Sequence, residues 1–282
     1  MKAIILNLSA WAVLPFMDTI AKYLSAELSF FQITWARYFF TVFWTLPFMF
    51  VFFRKKLTLS ENPKLQILRG LTLFFANICF FYSISVISMA KALTLAFVAP
   101  LVTTALSPIL LGEKVGIRRW TAVIVGFIGS LVVIRPGFIE FNLATIAALG
   151  TGCLYGVYLI ITRKLHTTDN PLLTLLLTGI VGATIATFFV PIVWVNPTNV
   201  QWLWLAIMGI FACLGHILLI YSLRYADASK LAPFGYFEII SNIILGYYVF
   251  KDFPDSWTFL GLFIIMTSGI YIFKRELNLK YF

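Results

Sequence analysis

The chain is a near-continuous run of apolar stretches, each about 20 residues long, the length at which a helix crosses the roughly 30 Å hydrocarbon core of a bilayer. Ten can be placed: residues 3–25, 29–53, 65–87, 91–111, 117–135, 143–163, 172–194, 201–223, 229–250 and 256–273. Lipid offers no partner for a bare peptide group, so each segment must satisfy its backbone internally, and at this length that means an α-helix. The longest joint, RKKLTLSENPK between the second and third stretches, leaves no room for a separate soluble domain. The opening MKAIILNLSAWAVLPFMDTIAKYL has too long an apolar part for a signal peptide and no small-residue cleavage site, so it reads as the first helix. The expected fold class is an all-α membrane protein of ten transmembrane helices. Composition agrees: 61% hydrophobic and 11% charged, against about 25% charged in a soluble domain, excludes a soluble enzyme and a disordered chain alike.

The 21 Lys and Arg outnumber the 11 Asp and Glu, a balance of +10 that in a soluble protein would raise the question of nucleic acid. In a membrane protein, excess basic residues collect in cytoplasmic joints. With the N-terminus inside, sixteen basic residues fall on the inner face, Lys22, Lys91, Arg135 and Lys251 on the outer, and Arg37 within the second helix. Both termini are therefore expected in the cytoplasm, in agreement with an even number of spans, and nucleic acid is not an expected partner. Trp120, Trp194, Trp202 and Trp257 sit at stretch ends, as an interfacial belt places them. Cys79, Cys153 and Cys213 each lie in an apolar stretch without CxxC spacing, so neither a disulfide framework nor a metal site is expected.

Ten spans divide into five and five, residues 3–135 and 143–273, and an odd number per half makes the halves face opposite ways: an inverted-topology repeat. A gapless offset of 139 residues lays FYSISVISMAK (81–91) over IYSLRYADASK (220–230), pairing Tyr82 with Tyr221, Ser83 with Ser222, Lys91 with Lys230 and, further on, Glu113 with Asp252. The matches fall at the same joint of each half, between its third and fourth spans. Pro15, Pro100, Pro108 and Pro233 interrupt spans one, four and nine, and each frees a carbonyl that needs a partner in the bundle or in a water-filled cavity. Broken spans in corresponding positions point toward a substrate site, and simple helix kinking is the alternative.

An ionisable side chain in hydrocarbon costs several kcal/mol unless it is paired or solvated, so depth sorts the candidates. Asp18 and Arg37 each lie roughly 10 Å from the outer side on consecutive antiparallel helices, and Lys22 follows Asp18 by one turn. A network of Asp18, Lys22 and Arg37 near the outer mouth is expected, as a structural or gating group or in contact with substrate. Glu238 lies about 14 Å into the ninth span, with no basic residue within a turn and with Ser241 and Asn242 on its face. It suits a proton carrier or a counter-charge to a cationic substrate group; a hydrogen-bonded structural acid is the bland alternative. Trp11, Asn77 and Tyr155 fall at similar depth and together with Glu238 sketch an aromatic-walled pocket, although singly each fits helix packing equally well. Tyr82 belongs to the repeated segment and completes the candidate substrate-binding set. His216 suits a proton relay or an interhelical hydrogen bond. Lys91 and Lys230, at opposite faces if the repeat holds, suit steering of an anionic group or ordinary snorkelling.

No HExxH, GxSxG or phosphate loop occurs, and neither a catalytic constellation nor a cofactor is expected. The segments MDTIAKYLS and QITWARYFF in spans one and two, LRGLTLFFANICFFYSI in span three, AFVAPLVTTALSPILLGEKVGIRRW with an acidic residue closing span four, and VGFIGSLVVIRPG in span five resemble the drug/metabolite transporter superfamily with two EamA-type repeats. The resemblance extends over essentially the whole chain. It implies a ten-helix inverted-repeat carrier in the inner membrane, both termini inside, with a central cavity walled by spans one, three, four, six, eight and nine. Trp11, Asn77, Tyr155 and Glu238 would then line the cavity, and Asp18, Lys22 and Arg37 match a pattern of the first two spans. Within the family, the D-x3-K and LRG segments are most similar to bacterial S-adenosylmethionine uptake carriers, with amino-acid exporters more distant. Lys91 stands where those carriers have a small or neutral residue. The expected function is secondary transport by alternating access of a small polar, cationic or zwitterionic metabolite, coupled to protons, to exchange or to the solute's own gradient. Metabolite export is the alternative, and a membrane enzyme or scaffold subunit the rival class.

Overall fold

The computed structural model describes residues 2–52, 60–112, 115–135, 142–165, 171–225, 234–235 and 237–279. A helix lies in each of the ten apolar stretches: α1 (Lys2–Leu24), α2 (Phe30–Phe52), α3 (Pro63–Val86), α4 (Met89–Ala96) with α5 (Ala99–Leu111), α6 (Ile117–Ile134), α7 (Leu143–Leu165), α8 (Pro171–Phe189), α9 (Asn199–Tyr225), α10 (Phe237–Phe250) and α11 (Ser256–Leu279). Seven of these stretches, counting α4 with α5, are long and apolar enough to cross a bilayer, and α10 and Ser256–Ile272 of α11 are shorter apolar helices. The protein is a multi-pass membrane protein, and its regular structure among the described residues is helical throughout.

Local chemistry sets the boundaries. Pro63 opens α3, where its missing N–H costs nothing. The Ser88 hydroxyl accepts the Lys91 N–H to cap α4. The fourth stretch, expected as one span, is two helices broken at Phe97–Val98, with Pro100 in the first turn of α5. Proline has no N–H for the Ala96 carbonyl, so α4 cannot run on. Gly112 ends α5 at φ 69°, a left-handed conformation natural to glycine. The first eight residues of the ninth stretch (229–236) fall largely outside the described residues, taking Lys230 and Pro233 with them, as does Glu113.

Helix α1 lies along α9, and α3 lies along α7. Helix α6 pairs with α11, α2 packs against α8 and α9, and α10 touches α1 and α4. The broken pair α4–α5 rests on α7. There a β-carbon at Gly152 would come within 2.7 Å of the Ala96 carbonyl oxygen, and one at Gly156 within 2.9 Å of that of Ala99. Only glycine lets the α7 backbone approach the break this closely.

Large apolar side chains such as Ile109, Phe188 and Ile192 point outward as a lipid-facing surface, while Gln32, Thr45, Ser83, Ser222 and Asn242 are wholly buried. Gln32 shows why polar residues sit inside: its amide brackets Val195, donating to the carbonyl at 2.7 Å and accepting the N–H at 3.0 Å, which ties α2 to the chain beyond α8.

One end of the bundle is laced by charge. Lys22 pairs with Asp252 at 2.5 Å, Arg135 pairs with Asp255, and Gln201 donates to Glu27 at 2.5 Å. This end is called the Lys22 face below.

Candidate functional site

Spans one, two, three, six, eight and nine turn their polar residues toward one another in the interior. Arg37 is the opposite charge within reach of Asp18, and Asp18 is the like charge within reach of Glu238. Tyr155 lies within electrostatic reach of both Glu238 and Arg37, and His216 within reach of Arg37. Trp11, Asn77, Tyr155, His216 and Glu238 are half-buried.

Each group is held differently. The Trp11 indole donates to Asn7 Oδ1 at 3.0 Å, and Asn7 donates to Ser222 Oγ at 3.2 Å, so the α1–α9 pair fixes the ring. Pro15, one turn on, has no N–H to give the Trp11 carbonyl. Asn77 donates to the Tyr38 hydroxyl at 2.6 Å and to the Leu73 carbonyl at 2.8 Å. The Tyr155 ring stacks on Tyr158 with centroids 5.2 Å apart. His216 Nδ1 is spent on the Ala212 carbonyl of its own helix at 2.7 Å, rather than on a neighbouring helix. Asn242, wholly buried, donates to the Glu238 carbonyl at 3.1 Å, and its own Oδ1 finds no partner. Asp18, 3% exposed, likewise has an Oδ1 without a partner.

The expected Asp18–Lys22–Arg37 network does not form. Lys22 Nζ reaches past the end of α1 to Asp252 Oδ2 at 2.5 Å and the Ile87 carbonyl at 3.1 Å, over the Phe250 ring at 5.0 Å. Lys22 stands two residues from the helix end, and its long stem carries the ammonium to the polar rim. Arg37 stays inside: its Nε donates to Met17 Sδ at 3.3 Å and its guanidinium lies 4.9 Å from the Tyr38 ring centroid. Tyr82 sits near the end of α3, tilted against Phe30 at 5.3 Å, away from the midplane group. Lys91 lies in the first turn of α4 beside the charges of Arg135 and Asp255, at the Lys22 face. Lys230 lies outside the described residues.

Sequence reasoning placed Arg69 among the basic residues of the inner face. It instead sits two turns inside α3, 6% exposed, and donates to Thr162 Oγ at 2.7 Å, the Thr174 carbonyl at 3.2 Å, Thr178 Oγ at 2.5 Å and the Tyr158 hydroxyl at 2.5 Å. Its depth, about 9 Å from the helix start, was the available signal. Asn7 and Asp252 were missed for another reason: their partners are 215 and 230 residues away in sequence. Among the described residues no group of three or more His, Cys, Asp or Glu is placed to hold a metal ion.

Comparison with known proteins bears on what this interior does. The model of the EamA-like transporter family matches residues 1–135 and again 142–274. An S-adenosylmethionine uptake transporter of Rickettsia bellii is 30% identical over 259 residues, 92% of this chain and 89% of that protein. A riboflavin transporter of Vibrio cholerae is 29% identical over 188 residues, 66% of this chain and 63% of that protein. A solved crystal structure, 16% identical, superposes with a TM-score of 0.63 over 95% of this chain and 96% of the other, and so shares the fold.

Proposed function

Since the chain belongs to the EamA-like transporter family and is a membrane transporter rather than an enzyme, we propose that it is a secondary carrier of a small cationic or zwitterionic metabolite. The substrate class is S-adenosylmethionine-like or amino-acid-like. The single observation that carries this is Glu238: a carboxylate on α10, half-buried, in reach of Asp18 and Tyr155 in the interior, with no basic side chain paired to it among the described residues. Two carboxylates in reach of one another, with Arg37 in reach of Asp18 but in direct contact with neither among the described residues, favour a ligand that brings a positive charge, or a proton. The Rickettsia relative takes up S-adenosylmethionine and the Vibrio relative transports riboflavin. Both solutes contain a flat heterocycle, for which Trp11 and Tyr155 offer ring faces. Asn77 and Asn242 add polar lining, and Arg37 and His216 flank the site.

The carrier works by alternating access between two inverted halves, residues 3–135 and 143–273. Three features support this. The family model matches twice, once per half. Packing partners exchange between halves: α1 on α9 corresponds to α7 on α3, and α6–α11 and α2–α8 map onto themselves. Finally, Ser83 and Ser222, aligned by the 139-residue offset, tie the third span of each half to the first span of the other: Ser83 donates to the Ala144 carbonyl at 2.8 Å and Ser222 accepts from Asn7. The basic-residue distribution supports both termini in the cytoplasm and the Lys22 face outside, and the resemblance to bacterial carriers supports the inner membrane. Lys22, Lys91 and Lys230 then belong to the two mouths.

The test is uptake of labelled S-adenosylmethionine into proteoliposomes, with amino acids, quaternary amines and organic anions as competitors and Glu238→Gln alongside. Uptake competed by cations or zwitterions and lost in a folded Glu238→Gln protein supports the assignment. Competition confined to anions, or uptake indifferent to the substitution, refutes it.

A further inference from the structure

Asp18 and Arg37 form an unusual pair. Both are nine-tenths buried or more, at 3% and 6% exposure, on consecutive helices. Opposite charges in a low dielectric attract strongly, and a buried pair normally closes because separation leaves both desolvated and uncompensated. These two do not close. Among the described residues two ion pairs fall within 4 Å, Lys22–Asp252 and Arg135–Asp255, and neither includes Asp18 or Arg37. The Asp18 Oδ1 accepts from nothing. The guanidinium spends Nε on Met17 Sδ and lies 4.9 Å from the Tyr38 ring centroid, and among the described residues no carboxylate pairs with it. Lys22, the cation that could have quenched Asp18, is drawn away to Asp252 and the Ile87 carbonyl.

From this arrangement we infer that Asp18 and Arg37 are the two poles of a subsite for the α-amino-acid end of the substrate, with the ammonium on Asp18 and the carboxylate on Arg37. The inference rests on the carrier function proposed above and deepens it. A zwitterionic amino-acid terminus carries its two charges on one α-carbon, so it bridges two opposite poles that are near but not touching. A simple cation satisfies Asp18 and leaves Arg37 uncompensated; a simple anion does the reverse. The planar fork of arginine matches a carboxylate through two parallel N–H bonds, which lysine cannot reproduce. Glu238, in reach of Asp18 but not paired, is left free for the rest of the substrate or for a proton.

The test uses the purified full chain and two probes, S-adenosylmethionine and decarboxylated S-adenosylmethionine, with L-methionine, L-methioninamide and N-acetyl-L-methionine as a second set, all titrated by calorimetry. The wild-type protein should bind each zwitterion at least about tenfold more tightly than its partner lacking either charge, the size of one charge-assisted contact. Arg37→Gln and Arg37→Lys should abolish the preference for the carboxylate while leaving affinity for the decarboxylated probe and for methioninamide within about twofold. Asp18→Asn should abolish the preference for the free ammonium. Equal wild-type affinity for charged and uncharged partners overturns the inference without any variant, and leaves the carrier assignment standing. An equal loss for all probes in the Arg37 variants overturns it as well. Failure of every probe to bind or be transported by the wild type overturns the carrier assignment and this subsite together.

Discussion

Breaking the Lys22–Asp252 pair should open the Lys22 face. The pair joins α1 to the chain after α10, and Lys22 also holds the Ile87 carbonyl between α3 and α4, so one ammonium links three joints. At an effective dielectric of about 20, charges 2.5 Å apart attract by about 7 kcal/mol before desolvation. The Asp252 side chain keeps 36% of its exposure, however, and exposed pairs are worth about 1 kcal/mol net at most. The Ile87 bond and the Phe250 ring face add about 0.5–1 kcal/mol each to the closed form. A total of about 2 kcal/mol corresponds to a shift of roughly thirtyfold in the closed-to-open ratio. The assay is the reaction rate of a membrane-impermeant thiol reagent, applied from the Lys22 face, with a cysteine at Ser241 in a background lacking Cys79, Cys153 and Cys213. Lys22→Met should raise the rate about ten- to thirtyfold, Asp252→Asn by somewhat less, and the double substitution no further than Lys22→Met alone, since both remove one contact. Unchanged rates, or effects that multiply in the double variant, would refute the latch.

Three further outcomes follow from the packing. Arg69→Leu should cost about 3 kcal/mol of stability, because the guanidinium ties α3 to both α7 and α8; Arg69→Lys should fall between, and a thermal midpoint for Arg69→Leu equal to wild type would contradict this. Gly156→Val should destabilise by about 1–3 kcal/mol through overpacking against α5, read as the same midpoint, while Gly116→Val, where a β-carbon meets nothing within 4 Å, serves as the control. Asp255, at the start of α11, titrates below the ordinary carboxylate range: partial burial opposes its charge, but the Thr258 N–H and hydroxyl and Arg135 together outweigh it. The unfolded chain therefore takes up the proton first, so the stability this group confers is present above about pH 4 and is lost as pH falls below it. Asp255→Asn should flatten that acid limb of the melting curve, and an unchanged limb would assign it to other carboxylates.

Ten helices and their approximate ends were legible from sequence because lipid admits few alternatives: an apolar stretch of that length must be helical, and short joints fix the order. Pro100 announced the interruption of the fourth span, and its missing N–H set the break within a few residues. The interior placement of Glu238, Asn242, Trp11 and Tyr155 was legible for the same reason, since a polar face cannot turn to lipid. What sequence could not decide was partnership. Lys22 lies one turn from Asp18, and local spacing favoured joining them, yet a lysine near a helix end is drawn to the rim, where folding delivers Asp252 from 230 residues away. Arg69 looked like one more basic residue of a cytoplasmic end until α7 and α8 closed around it with three hydroxyls and a carbonyl. Helix identity is a local property that hydrophobicity writes into the chain residue by residue. The charges of Asp18 and Arg37 are written there too, but that they stand near one another unjoined depends on which helices meet, and only the tertiary packing settles that.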